Sequence, residues 1–248
     1  MSETTAPPGF VPQVGDAILA SARRQVVRLA AAALAVNALL PLGVYAYARI
    51  TDQVFWRFFS VEDGPTEWFS SVQCMLIAGV AWTNYAIHGV LRRSGRSPLA
   101  ESGWVWIAFA IGFIVLGVDE RFDLHEAMRD SVLRPAGILV DLPYIVPADV
   151  GLYLLYAVGL AFATLLVREL RRWPPAAALL CTSFALGLAV VVIDSLSDAT
   201  LRSWPLATFW DYPFEEIGEL WAQLLCLLAF LTVLHGRLGQ LQARGEQT

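Results

Sequence analysis

Long apolar runs alternate with short polar connections along this chain. Runs of about 20 mainly apolar residues are long enough to cross a bilayer as helices. The sequence therefore predicts an all-α fold, a polytopic membrane helix bundle with about six transmembrane helices. A single transmembrane domain (25–237) would lie between tails at 1–24 and 238–248. The runs lie at about 25–49, 67–92, 102–127, 149–171, 175–197 and 215–237.

Local signals support the boundaries of these runs. The polar stretch RRSGRSP (92–98) separates the second run from the third. Pro174 and Pro175 open the fifth run, where a helix start tolerates the missing N–H groups. The N-terminal tail lacks the apolar core of a cleavable signal peptide, so we expect the first run to remain as a membrane helix.

The arginines predict the orientation, because positively charged residues accumulate on the cytoplasmic side of membrane proteins. They occupy the N-terminal tail and every second connection, so both termini are predicted to be cytoplasmic, in a bacterial inner membrane. The opposite, outer face then carries 17 of the 22 acids. The arginines on the cytoplasmic side are Arg23, Arg24, Arg28, Arg92, Arg93, Arg96, Arg168, Arg171, Arg172, Arg237 and Arg244.

Composition agrees with a membrane protein. Charged residues make up 16% of the chain and the mean hydropathy is +0.57, whereas a soluble domain is roughly 25% charged. We find no basic patch of the kind that binds nucleic acid. The three cysteines lie inside apolar runs, which is typical of small core residues rather than of disulfides or a metal motif.

Some of the outer acids lie at predicted helix starts, where acidic residues are common. Pro65 fits the first helical position, which makes Gly64 the cap and places Glu67 in the first turn. An acid there favours the positive end of the helix dipole. The same holds for Asp149, which begins the fourth run, and for the acids that begin the sixth.

The acids that end the third and fifth runs lack this explanation, because the dipole at a helix C-terminus favours cations. Asp119, Asp123 and Glu126 lie within about 60° of one another on a helix. Asp194 and Asp198 are one turn apart. Like charges at this spacing destabilise a helix by a few tenths of a kcal/mol, so a compensating positive charge is expected.

Three explanations remain open: a network with local arginines, plain solvation of outer loops, and a bound cation. We favour a divalent cation in an oxygen-rich site, with calcium, magnesium, manganese or iron as the candidates. His125 is the only histidine at this end, which excludes a three-histidine zinc site there. The candidate metal ligands are Glu62, Asp63, Glu67, Asp119, Asp123, Asp194, Asp198, Glu215, Glu216 and Glu219.

Two motifs carry a resemblance. EDGPTEW (62–68) and DERFDLHE (119–126) resemble segments of uncharacterised bacterial multi-pass inner-membrane proteins, a likeness that brings no established activity. TEWFSS, the His125 region and Asp141 are also distantly similar to ceramidase-like membrane hydrolases. This chain has EEIGE (215–219) where that family has H-x-x-x-H, and six predicted spans where it has seven. The second likeness implies, by analogy, an outward-facing metal site that acts on lipid.

These features predict a membrane-embedded, metal-dependent enzyme, a hydrolase or an oxidoreductase, that acts on a membrane lipid or lipid-like molecule. His125 or Glu126 would transfer protons beside the metal. The alternatives are an ion- or proton-coupled carrier or sensor, and an accessory subunit with an acidic docking face. A carrier needs polar residues through the whole bundle. Below the outer acids we expect only isolated ones, at Asn37, Gln73, Asn84 and Thr182.

Overall fold

The structure, a computed structural model, describes residues 10–52, 64–93, 103–122, 124–133, 135–137, 149–194 and 213–245. These ranges contain seven α-helices and no strand, which confirms the predicted all-α fold. A π-helical turn (Arg129–Leu133) follows α4 and a 3-10 turn (Leu170–Arg172) follows α5. The helices are α1 (Phe10–Ile50), α2 (Pro65–Arg93), α3 (Trp104–Phe122), α4 (Leu124–Met128), α5 (Asp149–Glu169), α6 (Pro174–Asp194) and α7 (Pro213–Gly245).

The prolines start helices where the sequence predicted them. Pro65 is the first residue of α2, and the Gly64 carbonyl accepts the first helical hydrogen bond from the Trp68 amide at 3.1 Å. Pro174 likewise begins α6, and the Trp173 carbonyl accepts from the Ala177 amide at 3.1 Å. Proline favours these positions because its ring presets the helical φ angle.

Four helices in the described part of the chain are long and apolar enough to cross a membrane, with mean hydropathies of 1.4 to 2.5. Large apolar side chains point away from the bundle, such as Leu154 (65% exposed) and Ile111 (56% exposed). These observations confirm a membrane protein with transmembrane helices, and the number of crossings stays a prediction. The four segments are Gly15–Ile50, Pro65–Arg93, Pro174–Ile193 and Phe214–Ala243.

Helices that follow one another run antiparallel, and α2 and α7 run parallel at the centre. Ser70 of α2 contacts Gln223 of α7, and further along both helices Asn84 contacts Arg237. α1 and α6 flank α7 and run against it, while α3 packs on α2 in the opposite direction. The amino ends of α2 and α7 therefore lie together with the carboxyl end of α3.

The first and last helices extend beyond the predicted spans. α1 begins at Phe10 rather than near residue 25, and α7 continues to Gly245 rather than ending near residue 237. The two extensions contact each other, because Arg23 donates hydrogen bonds to His235 and Gln242. Helix packing thus stabilises polar turns that the apolar pattern alone does not define.

A cluster of aromatic rings fills the core between α3 and α7. The Phe230 ring centroid lies 5.0 Å from that of Trp106 and 5.5 Å from that of Phe109, in edge-to-face arrangements. All three side chains are buried. Such ring pairs stabilise a core beyond their buried area, and they link α3 to α7 through large side chains.

Candidate functional site

Acidic side chains from three helices meet at one end of the bundle. The Glu216 carboxylate at the start of α7 lies within electrostatic range of Glu67 on α2 and Glu120 on α3. The Cys74 side chain on α2 lies within range of Glu120 and also of Glu219 on α7. We call the group Glu67, Glu120, Glu216 and Glu219 the carboxylate cluster.

Gly117 brings α3 close enough to α2 to place Glu120 in the cluster. The Ser71 hydroxyl of α2 donates to the Gly117 carbonyl at 2.6 Å. A Cβ atom at position 117 would lie 3.1 Å from both the Cys74 Cβ and the Ser71 carbonyl oxygen. Glu120 is nearly one turn further along α3, on the same face as Gly117. The small residue therefore sets the spacing of the helices directly beneath the acids.

We expect Gly117→Ala to lower the free energy of unfolding by about 1–2 kcal/mol, because the added methyl group overpacks the α2–α3 contact. Thermal unfolding of the purified protein in detergent measures the change. Gly112→Ala is the matched control on the same helix, since nothing lies within 4 Å of a Cβ at that position. Equal stability of the two variants would contradict the close contact.

Glu216 lies close to two other acids of the cluster. Its side chain is partly buried, and within the described part of the chain no basic side chain forms an ion pair with it. Thr66 lies beside it and is only 1% exposed. The Thr66 hydroxyl faces the Glu216 carboxylate, within hydrogen-bonding reach of it. A cation among these oxygen atoms would satisfy the acids and the hydroxyl together.

A ladder of buried polar side chains continues from the cluster into the bundle. Gln223 Nε2 of α7 donates to the Ser70 hydroxyl at 2.6 Å. Gln73 Nε2 donates to the Leu220 carbonyl at 2.8 Å, and Gln73 Oε1 accepts from Asn37 Nδ2 of α1 at 2.7 Å. The sequence predicts Asn37 and Gln73 to be isolated polar residues. The structure instead joins them across two helices.

A second polar group lies deeper in the bundle, around Arg237. Its guanidinium donates to the Asn84 carbonyl at 2.7 Å and lies 4.9 Å from the ring centroid of Trp106. Between Gln73 and Asn84, α2 presents buried apolar residues that pack against buried leucines of α7. This segment of α2 spans about 16 Å. In the described part of the chain, an apolar layer therefore separates the two polar groups.

The structure describes the side chains of only some predicted site residues. Glu67, Glu216 and Glu219 lie in the carboxylate cluster, and Glu215 and Asp119 are partly buried at the same end of the bundle. Among the described residues, no group of three or more His, Cys, Asp and Glu side chains is placed to hold a metal ion. The predicted metal site therefore stays a prediction. Predicted residues whose side chains lie outside the described part are Glu62, Asp63, Asp123, His125, Glu126, Asp194 and Asp198.

Glu120 and Thr66 belong to the site but are not among the residues predicted from the sequence. A signal for Glu120 was present, because it continues the α3 stripe formed by Trp106, Phe109 and Gly117 at helical spacing. Those residues are buried, so an acid at the next position points toward the same neighbours. For Thr66 the sequence held no signal, since threonine in the first turn of a helix is commonplace.

The fold and site define a class: an all-α membrane protein with a partly buried carboxylate cluster at one end of its bundle. A family model described as a domain of unknown function (DUF8692) matches residues 26–234. The chain therefore belongs to that family, and the matched region includes the whole carboxylate cluster. Comparison with curated proteins and with solved structures gave no match.

Proposed function

We propose that this protein is a membrane-embedded, metal-dependent enzyme that acts on a lipid-like substrate. The carboxylate cluster and the Thr66 hydroxyl would supply oxygen ligands of the kind that a divalent cation prefers. Predicted ligands whose side chains lie outside the described part, such as Asp123 and Asp194, would complete the site. The cation would supply an activated water. His125 or Glu126 would transfer protons, as the sequence predicts.

The proposed topology has six crossings, with both termini in the cytoplasm and the carboxylate cluster at the outer face. It is supported by the alternating directions of six long helices. The arginine pattern also supports it, because Arg23, Arg28, Arg92 and Arg168 all belong to the end opposite the cluster.

One observation carries the proposal: Glu216 is partly buried beside two acids and the Thr66 hydroxyl, without a basic partner in the described residues. A buried carboxylate is expensive unless it is paired or coordinated. Three helices nevertheless converge to hold this one in place. Such convergence is typical of metal sites within helix bundles.

An exposed surface beside the cluster fits a lipid-like substrate. Trp68 is 56% exposed and Phe122 is 64% exposed, which gives an apolar face toward the surrounding membrane. The Arg121 guanidinium lies 5.9 Å from each ring centroid. A molecule with an apolar tail and a polar head would find both kinds of partner next to the acids.

Metal binding is the direct test. Without metal, we expect Glu216→Gln to raise the free energy of unfolding by about 1 kcal/mol, because it removes repulsion between acids. Adding manganese or calcium at about 100 times Kd should stabilise the wild type by about 2.7 kcal/mol. The variant should gain much less. Elemental analysis and thermal unfolding, each with and without the ion, measure the two effects.

Asp52→Asn is the matched control, because Asp52 is an exposed acid that follows the carboxyl end of α1 at the same end of the bundle. It should keep the metal content and the metal-dependent stabilisation of the wild type. Lipid turnover is then followed by mass spectrometry of bilayers of defined phospholipids containing each protein. Equal metal content and equal stabilisation of the wild type and Glu216→Gln would contradict the proposal.

The apolar layer between Gln73 and Asn84 bears on the carrier alternative. A carrier needs a polar route through the bundle, whereas this layer consists of buried side chains such as Ile77, Val80 and Leu227. It therefore favours chemistry at one face over passage through the protein. An accessory role with an acidic docking face would become the better explanation if no metal bound.

A further inference from the structure

A cavity of about 460 Å³ lies between α1 and α7, at the end opposite the carboxylate cluster. Three arginines of α1 line it, Arg23, Arg24 and Arg28, together with His235 and Gln242 of α7. We propose that this arginine pocket binds a phosphate group, carried either by an anionic lipid or by a soluble molecule. The pocket is independent of the function proposed for the other end.

Contacts with α7 fix the orientation of one arginine in the pocket. Arg23 Nε donates to His235 Nε2 at 3.4 Å, and a terminal nitrogen donates to Gln242 Oε1 at 3.2 Å. The guanidinium carbon lies over Gly239, 3.6 Å from where a Cβ atom would be. Three of the five N–H groups of Arg23 remain without a protein acceptor among the described residues. A planar guanidinium held in this way suits phosphate oxygens.

Among the described residues, no acid balances the positive charge of the pocket. Arg23 and Arg24 are adjacent on α1, and Arg28 follows Arg24 by four residues, about one helical turn. In the part of the chain that the structure describes, none of them forms an ion pair with a carboxylate. Like charges at this spacing repel one another. A bound anion would remove that repulsion, and phosphate matches the donors available.

The surroundings of the pocket fit a ligand at a membrane surface. Val27, which also lines the cavity, is 57% exposed, and Ile18 nearby on α1 is 63% exposed. Acyl chains could therefore lie beside the arginines. In the proposed topology the pocket faces the cytoplasmic leaflet, whose anionic lipids attract basic side chains. A free phosphate compound would use the same arginines without the apolar contacts.

Lipid retention by the full-length protein tests the pocket. We expect native mass spectrometry in detergent to show that the wild type retains phosphatidylglycerol in preference to phosphatidylcholine. Arg24→Gln/Arg28→Gln should bind phosphatidylglycerol about tenfold more weakly or worse, since each arginine near a lipid surface contributes appreciably. Both side chains are exposed, so the variant should fold. Arg28→Gln alone provides a second variant, with a smaller loss expected.

The matched control is Arg92→Gln/Arg93→Gln, which removes the same charge from exposed positions at the carboxyl end of α2. It should retain lipid as the wild type does. Competition with millimolar inorganic phosphate shows whether the phosphate group belongs to an anionic lipid or to a soluble molecule. Displacement of the lipid by phosphate supports a soluble ligand, and a preference for lipid that phosphate leaves unchanged supports a headgroup site. Equal retention by the wild type and both Arg24/Arg28 variants, or an equal loss in the control, would overturn the proposal.

Discussion

Replacing Arg237 with alanine is expected to lower the free energy of unfolding by about 3–5 kcal/mol. Arg237 is 1% exposed, although it is an arginine in a helix of a membrane protein. Unfolding followed by tryptophan fluorescence in detergent measures the loss. We expect this to be the largest effect of any single substitution considered for this chain.

The size of this effect follows from the contacts of the guanidinium. It donates to the Asn84 carbonyl at 2.7 Å, and hydrogen bonds from charged groups contribute about 1.5–3 kcal/mol. It also lies 4.9 Å from the ring centroid of Trp106 and 5.8 Å from that of Trp173. Desolvated cation–π contacts of this kind contribute up to about 2 kcal/mol each. Alanine would also leave a cavity among large side chains.

Two further variants separate these causes. Arg93→Ala removes an exposed arginine near the same end of the bundle and should change stability by less than about 0.5 kcal/mol. Arg237→Lys keeps the charge but loses the planar stacking, so an intermediate loss is expected. If Arg237→Ala were as stable as Arg93→Ala, Arg237 would not hold α2, α3 and α7 together.

The positions of the helices could be predicted because single local signals determine them. Apolar length marks each span, and Pro65 and Pro174 mark two helix starts that the structure confirms. The extended ends of α1 and α7 could not be predicted in this way. They depend on contacts between residues more than 200 positions apart, such as Arg23 with His235.

In the candidate site, too, local signals could be predicted from the sequence and contacts between helices could not. Helical spacing gives the angles between acids within α3, but not which face of α3 meets α2. That face is set by Gly117 and the buried aromatic stripe, which direct Glu120 into the cluster. Arg237 was assigned by its charge to a cytoplasmic connection. In the structure α7 continues past it, and two tryptophan rings pack on its guanidinium.

Replacing Gln73 with leucine is expected to lower the free energy of unfolding by about 2–3 kcal/mol, because buried groups lose their partners. Gln73 is 2% exposed and uses both ends of its amide. Nε2 donates to the Leu220 carbonyl, and Oε1 accepts from Asn37 Nδ2, so one side chain joins α1, α2 and α7. Leucine is an apolar side chain of comparable size, so most of the loss reports on polar pairing. Thermal unfolding in detergent measures it.

A double variant distinguishes lost polar pairing from a packing defect, because a packing defect would not make the double variant more stable than Gln73→Leu. Asn37→Leu/Gln73→Leu replaces both partners by apolar groups, and such paired replacements are often nearly neutral. We therefore expect the double variant to be more stable than Gln73→Leu alone. Thr83→Val is the control on α2, since the Thr83 hydroxyl is exposed and bonds only to its own helix at the Gly79 carbonyl. Additive losses in the double variant would mean that Asn37 and Gln73 act separately, and the ladder beneath the carboxylate cluster would not be a connected unit.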